Sequence, residues 1–165
     1  MKRLAVILAG STLALSAHAV NWSKVSESQT GSTFSLDLDS IESSDINIID
    51  EKSVENITVS IRRTYPEPKN VTKDSKERDS KEKESKDKVA KEKRIHHSDQ
   101  QLLISCKDAS YYRRAYVNYA ADGKVIKSWQ SEKPILTTND FKVTTPKTIS
   151  RLLVEQSCKN YEQAK

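Results

Sequence analysis

Glycine is scarce in this chain of 165 residues, which contains only Gly10, Gly31 and Gly123. The phosphate-binding loops of nucleotide-binding proteins need clustered glycines, so the scarcity excludes both common types of such loop. Collagen-like repeats and glycine linkers are excluded as well. Only two cysteines occur, Cys106 and Cys158, which are too few for a structural zinc site with four cysteine ligands. We therefore expect no cofactor.

Long apolar runs are also missing, apart from one near the start of the chain. Two basic residues precede a mostly apolar run, and the small residues Ala17 and Ala19 then precede the bond between Ala19 and Val20. This order is typical of a secretory signal peptide, residues 1–19. The alternative is a membrane-spanning helix, which needs about 20 apolar residues, and this run is shorter. We therefore expect an exported mature chain, residues 20–165, without a transmembrane anchor. Because no cysteine occurs before Cys106, we expect no lipid anchor either.

Aromatic residues are absent from a strongly charged block, residues 69–94, which holds 11 basic and 7 acidic residues. Its few apolar side chains cannot bury enough surface to offset the entropy of ordering the backbone. We predict a low-complexity insertion, disordered or helical, within a single domain. The alternative is a basic arm that binds nucleic acid, anionic lipid or glycans. Interleaved acids and the lack of stacking aromatics favour a solvated spacer, and we expect no nucleic-acid partner.

Alternation of apolar and polar residues predicts β-strands on both sides of the charged block. Residues 34–38 and 57–61 alternate in this way before it, and residues 102–106 alternate after it. Residues 111–119 and 124–130 flank Ala121-Asp122-Gly123, which is typical of a hairpin turn with glycine at the position of positive φ. The chain is therefore predicted to be rich in β-structure.

The register of this hairpin decides which side chains face solvent. A three-residue turn pairs Tyr119 with Val125 and Val117 with Lys127, which places the mostly apolar odd-numbered residues on the core face. The outward face then carries two tyrosines and an arginine, namely Tyr112, Arg114 and Tyr116. These residue types are enriched in binding hot spots, so we predict that a protein partner binds there. The alternative is that tyrosine simply favours strands.

One helix is predicted near the C-terminus. Thr145 is a suitable N-cap, and Pro146 suits the first helical position. The apolar residues that follow form two stripes on nearly opposite sides, one of Ile149, Leu152 and Leu153 and one of Val154, Cys158 and Tyr161. A surface helix usually has one stripe, so we expect this helix to be covered on both sides, with the loop at residues 134–141 on the second.

The two cysteines fall in different predicted elements, Cys106 in a strand and Cys158 in the helix. In an exported chain, a lone pair of cysteines predicts a disulfide. The alternative is a catalytic thiol, which needs an activating base, and only His96 and His97 remain after cleavage of the signal peptide. Those histidines and Asp99 also suggest a loose metal site, but adjacent histidines suit exposed linker residues better, and we expect no metal.

The order of these features along the chain is informative in itself. A signal peptide precedes Trp22 and the acidic, aromatic strand at 34–41; the run at 102–106, the Asp122-Gly123-Lys124-Val125 hairpin and a helix ending at 154–158 follow. In this order they resemble the surface-adhesin protein E family of Gram-negative bacteria. The resemblance covers most of the mature chain except the charged block. It implies an α+β fold, an antiparallel sheet of about six strands with the C-terminal helix packed on one face and tethered by the disulfide.

The resemblance also implies a function. Members of the surface-adhesin protein E family are non-enzymatic adhesins, so the expected partners are host extracellular-matrix or plasma proteins. The expected location is the periplasm, the cell surface or the medium of a Gram-negative bacterium. The alternative is a soluble periplasmic accessory protein without a host ligand. We do not expect an enzyme, because the sequence shows no serine–histidine–acid set.

Overall fold

A computed structural model describes residues 20–44, 46, 48, 56–68, 94–134 and 136–165 of the chain. The predicted signal peptide lies outside these residues, as does all of the predicted charged insertion except Arg94. Within the described residues the chain forms a mostly antiparallel sheet and one C-terminal α-helix, which is an α+β architecture.

Over the described residues the sheet contains eight strands rather than the predicted six or so. The strands are β1 (Trp22–Glu27), β2 (Thr33–Asp37), β3 (Glu42–Ser43), β4 (Asn56–Thr64), β5 (His97–Ser105), β6 (Ser110–Tyr119), β7 (Val125–Gln130) and β8 (Lys142–Val143). Six of them lie side by side in the order β1-β2-β4-β5-β6-β7, while β3 pairs with β4 and β8 pairs with β6. The prediction missed β3 and β8 because two-residue strands are too short to show an alternating pattern.

The main core lies on one face of the sheet, where the predicted alternation holds. Ile57 and Val59 of β4 pair with Ile104 and Leu102 of β5, and none of these side chains is more than 4% exposed. Residues that pair directly across two strands share a face of the sheet, so these four form one continuous apolar surface. The C-terminal helix α1 (Ile149–Gln163) packs on this surface, which we call the helix face.

The helix begins later than predicted. Its N-cap is Thr148, whose hydroxyl accepts a hydrogen bond from the backbone N–H of Arg151 at 3.3 Å. Pro146 and Lys147 form a turn before it, and Lys147 has a positive φ of 63° that no helical residue adopts. Thr145 is therefore not the cap, and the proline precedes the helix instead of opening it.

A single side of the helix is buried, and not two. The residues that contact the core are Ile149, Leu153, Val154, Cys158 and Tyr161. They span half of the helix circumference at 3.6 residues per turn. Leu152, which was assigned to one of two opposite stripes, is 40% exposed. Apart from Leu152, the residues of the two predicted stripes together form one buried side of the helix.

The opposite face of the sheet has its own, smaller core. Leu103 of β5 is fully buried there against Ile48 and Leu136, and Tyr112 and Phe141 pack around them. The loop at residues 134–141 therefore covers this face rather than the helix. The reason is the alternation of β5 itself, because Leu103 must point away from Leu102 and Ile104 and needs an apolar cover of its own.

The disulfide joins the helix to the sheet. Cys106 follows β5 and Cys158 lies in α1, and their sulfur atoms are 2.05 Å apart. The predicted pairing is confirmed at bonding distance. Both residues pack at the edge of the main core, so the bond fastens the C-terminal half of the helix where the helix already makes apolar contacts.

Candidate functional site

The hairpin that carries the predicted binding residues follows the predicted register only at its turn. Tyr119 pairs with Val125 as expected, and Gly123 has a φ of +83° in the turn between them. The next pair is Asn118 with Lys127, so Ile126 is an extra residue in β7, a β-bulge. From that point the pairing is displaced by one residue, and Tyr116 instead of Ala115 lies opposite Trp129.

A second β-bulge divides β6 itself. Ala115 pairs with Gln101 of β5, but Arg113 pairs with the neighbouring Leu102, so Arg114 is the extra residue. An extra residue reverses which face each later side chain occupies, because side chains alternate with a period of two. Tyr112 and Tyr116 therefore lie on opposite faces of the sheet.

Tyr112 belongs to the smaller core and does not point freely outward. It pairs with Leu103, its ring centroid lies 6.2 Å from that of Phe141, and its hydroxyl is hydrogen-bonded to that of Ser131. Arg114 lines a small cavity of about 70 Å³ beside Tyr112 on this face. The structure thus brings Tyr112 and Arg114 together and separates both from Tyr116, so the predicted set is not one surface.

Tyr116 lies on the helix face and forms part of an aromatic and cationic surface there. It pairs with Gln100, and its ring stacks on that of Trp129 with centroids 5.8 Å apart and planes 24° apart. The guanidinium of Arg113 lies 6.0 Å from the centroid of Tyr116, within the range of a cation–π contact. The helix packs mainly against β1, β2 and β4, and Trp129 on β7 stays 43% exposed.

A cavity of about 240 Å³ continues this surface towards the start of the helix. Arg113 and Gln100 line it together with Arg63 of β4, and its floor is apolar. Of the residues that the structure describes, two with a positive charge and none with a carboxylate line the cavity. We call the combined surface of Arg63, Gln100, Arg113, Tyr116 and Trp129 the cationic groove.

Arg63 is held between aromatic rings. Its guanidinium carbon lies 4.4 Å from the ring centroid of Tyr65 and 5.4 Å from that of Phe34, and one terminal nitrogen reaches the hydroxyl of Ser32 at 3.4 Å. Its Nε atom is buried, and no described residue accepts a hydrogen bond from it. Nothing among the described residues forms an ion pair with Arg63 or Arg113.

The neighbouring Arg62 provides a contrast, because alternation places it on the opposite face. It binds the carboxylate of Asp99 with two hydrogen bonds, of 2.6 and 2.7 Å, and it lies 4.5 Å from the ring centroid of Trp22. The hydrogen bond to Asp99 raises the pKa of Arg62 above its usual value. The positive charge of Arg62 is thus neutralised within the fold, whereas no carboxylate in the described part of the chain neutralises the two charges of the cationic groove.

His96, His97 and Asp99 do come close together, but in an arrangement unlike a metal site. Asp99 is bound by Arg62, and the Nδ1 atoms of the two histidines lie 2.9 Å apart, at hydrogen-bond distance. His97 stacks on Tyr119 with centroids 4.8 Å apart. Burial, followed by the charge of Arg62, lowers the pKa of His97. Over the described ranges, no group of three or more histidine, cysteine, aspartate or glutamate side chains is placed to hold a metal ion.

The sequence missed every residue of the cationic groove except Tyr116, for an identifiable reason. The predicted register put Arg113 and Trp129 on the core face, and both do lie on the helix face. An arginine fits poorly among core residues, and that mismatch was the available sign that this end of the face is open. Nothing in the sequence distinguished Arg63 from Arg62, because only the aromatic rings around Arg63 and the cavity beside it set the two arginines apart.

Comparisons of the chain with protein-family models, with curated proteins and with solved structures found no match. In the part of the chain that the structure describes, no helix is long and apolar enough to cross a membrane.

Proposed function

We propose that the mature chain is an exported, non-enzymatic binding protein with a role similar to that of surface-adhesin protein E, attaching to host extracellular-matrix or plasma proteins. The observation that carries the proposal is the cationic groove. Arginine, tyrosine and tryptophan are the residue types that dominate binding energy at protein interfaces. Here they lie together on a part of the sheet that the helix leaves open.

Export is supported by the disulfide as well as by the N-terminal sequence. Disulfides persist in oxidising compartments such as the bacterial periplasm and the cell surface, and they are rare in the cytosol. The bond between Cys106 and Cys158 leaves no free thiol in the described residues. It also removes both cysteines as candidate nucleophiles, which supports a binding role over catalysis.

Export and cleavage are tested by intact-mass measurement and protease accessibility. We expect the exported protein to begin at Val20 and to carry no lipid. For an adhesin, protease added to intact cells should degrade the protein. A species that retains residues 1–19 would contradict cleavage. Protection until the outer membrane is opened would contradict surface display and would favour the alternative role, a periplasmic accessory protein.

Adhesion is tested with the purified mature chain on immobilised extracellular-matrix extract and on immobilised plasma proteins. We expect saturable binding that is lost when the chain is reduced and unfolded, because a folded surface is required. An albumin-coated surface serves as the control. Binding that is no stronger for the folded chain than for the unfolded chain would refute the adhesin role.

A further inference from the structure

We infer that the cationic groove binds an acidic segment of a protein partner, with carboxylates paired to Arg63 and Arg113 and an apolar side chain stacked on Trp129. The inference rests on the proposed function, since it names the site and the chemistry of the partner.

The charges of the groove make the first argument. Two arginines line one cavity in which no described residue supplies a carboxylate, and the buried Nε atom of Arg63 has no acceptor among the described residues. Such a donor is costly to leave unpaired, and a carboxylate oxygen would satisfy it. Arginine binds carboxylates through two parallel hydrogen bonds, as Arg62 does with Asp99 on the other face. Arg62 thus has the carboxylate partner that Arg63 and Arg113 do not have among the described residues.

The start of the helix adds to the positive potential. Ile149 and Ser150, the first two residues of α1, line the same cavity as the two arginines. The N-terminus of a helix carries a partial positive charge that stabilises an anion nearby. A negative group in this cavity would thus meet two guanidinium groups and the helix terminus together.

The size of the cavity decides between a small molecule and a side chain. About 240 Å³ is below the roughly 300–1,000 Å³ that encloses a drug-sized ligand, so the cavity fits a single side chain better. Gln100 and Arg113, which line the cavity, also adjoin Tyr116, whose ring stacks on Trp129, so the neighbouring residues of the same partner would lie there. An aromatic pair with a half-exposed tryptophan beside a charged cavity is typical of a protein interface.

The exposed edge strand β7 is a less suitable binding site for the partner. Its six residues are all exposed, but Ile126 forms a bulge and Lys127 carries a charge in the middle of the strand. Both features oppose the addition of another strand. The partner is therefore expected to contact side chains of the face rather than to extend the sheet.

The experiment uses the mature chain with Trp22→Phe, so that tryptophan fluorescence reports on Trp129 alone. The probe is a capped five-residue peptide of four glutamates around one phenylalanine, and the matched probe replaces the glutamates by glutamines. We expect the glutamate peptide to bind at least about tenfold more tightly, with an affinity that falls as salt rises. Equal affinity for the two peptides would overturn the inference.

Single substitutions test the assigned residues. Arg113→Gln should weaken binding of the glutamate peptide by at least about fivefold, because Arg113 is exposed and no described residue forms an ion pair with it. Arg114→Gln is the matched control, since Arg114 is adjacent in sequence but lines the cavity on the opposite face. It should change affinity by less than about twofold. Equal losses for the two variants would mean that net charge alone attracts the peptide.

Arg63 needs a second variant because its ring contacts also support the fold. Arg63→Lys keeps the charge and removes the forked donor, so it should weaken peptide binding while the far-ultraviolet circular dichroism spectrum stays unchanged. Inorganic phosphate and acetate are competing probes for a small-anion site. Displacement of the peptide by either at the peptide's own concentration would overturn the inference in favour of that small anion.

The outcomes separate this inference from the proposed function. If the wild-type chain and Arg113→Gln bind matrix or plasma proteins equally well, adhesion stands and the groove is not its site. If the wild-type chain binds neither material but discriminates between the two peptides, the groove stands and the adhesin role falls.

Discussion

Removal of the disulfide should destabilise the protein by several kilocalories per mole without undocking the helix. The double substitution Cys106→Ser and Cys158→Ser opens a loop of 52 residues. The chain-entropy model gives about 4 kcal/mol for a loop of this length, since the bond restricts the unfolded chain. A small domain has a total stability of about 5–15 kcal/mol, so the variant should fold but only marginally.

The contacts of the helix explain why it should stay in place. Leu153 and Val154 are at most 5% exposed against the main core. Burial of each such side chain stabilises the native state by about 1.5–3 kcal/mol. These contacts do not depend on the bond, so the loss of stability should arise almost entirely in the unfolded state.

The assay is urea unfolding followed by circular dichroism, with the oxidised wild-type chain and the double variant side by side. For a slope m of about 2 kcal/mol per molar urea, the midpoint should fall by about 2 M, and m should not decrease because the unfolded chain without the bond is less compact. The wild-type chain in reductant should follow the variant.

Two leucines provide matched controls in the oxidised chain. Leu153→Ala should cost about 2–5 kcal/mol because the side chain is buried. Leu152→Ala, at a 40% exposed position one residue earlier, should change stability by less than about 0.5 kcal/mol. A loss below about 1 kcal/mol in the double variant, or a reduced m, would refute the reasoning: the first would mean that the bond does not constrain the unfolded chain, and the second that the helix leaves the sheet without it.

Three further predictions concern the opposite face and the ends of the insertion. Tyr112→Ala should cost about 2–4 kcal/mol in thermal or urea unfolding, and Tyr112→Phe only about 1 kcal/mol, because the ring packs in the smaller core and the hydroxyl makes one hydrogen bond; equal costs would contradict this assignment. Burial lowers the pKa of His97 below its ordinary 6.5, so the unfolded state binds more protons than the native state does. The contribution of His97 to stability is therefore complete above pH 6.5 and decreases as the pH falls below it. His97→Gln should flatten that decrease. An unchanged pH profile would show that His97 is not its source. Replacing residues 69–93 by a short glycine–serine linker should change stability by less than about 1 kcal/mol, because the pairing of Thr64 with His97 already brings the ends together; loss of cooperative unfolding would contradict it.

Local patterns in the sequence predicted the strands that form the main core. The alternation at 57–61 and at 102–106 is the same pattern that buries Ile57, Val59, Leu102 and Ile104 beneath the helix. Gly123 adopts the positive φ that the hairpin turn was expected to need. These features depend on a few neighbouring residues, so the sequence contains the information directly.

The placement of candidate binding residues could not be predicted in the same way. The bulges at Arg114 and Ile126 each add one residue to a strand, and each reverses the alternation beyond it. Tyr116 consequently lies on the same surface as Arg113 and Trp129, whereas Tyr112 stays on the opposite face, in the smaller core. No composition signal at either position marks a bulge, because any residue type can occupy the extra place.

The sequence by itself determined the class of the fold, the strands of the main core, the C-terminal helix and the pairing of its only two cysteines. Periodicity and a lone cysteine pair are properties of the chain that no later packing step can change. Only the tertiary structure decided which loop covers Leu103 and which face each residue of β6 occupies. It also decided that Arg62 is neutralised by Asp99 while Arg63 is left beside an open cavity. The physical reason is that strand register, the covering of each sheet face and the pairing of charges depend on contacts between residues far apart in sequence. One extra residue in a strand moves the side chains beyond it to the other face of the sheet.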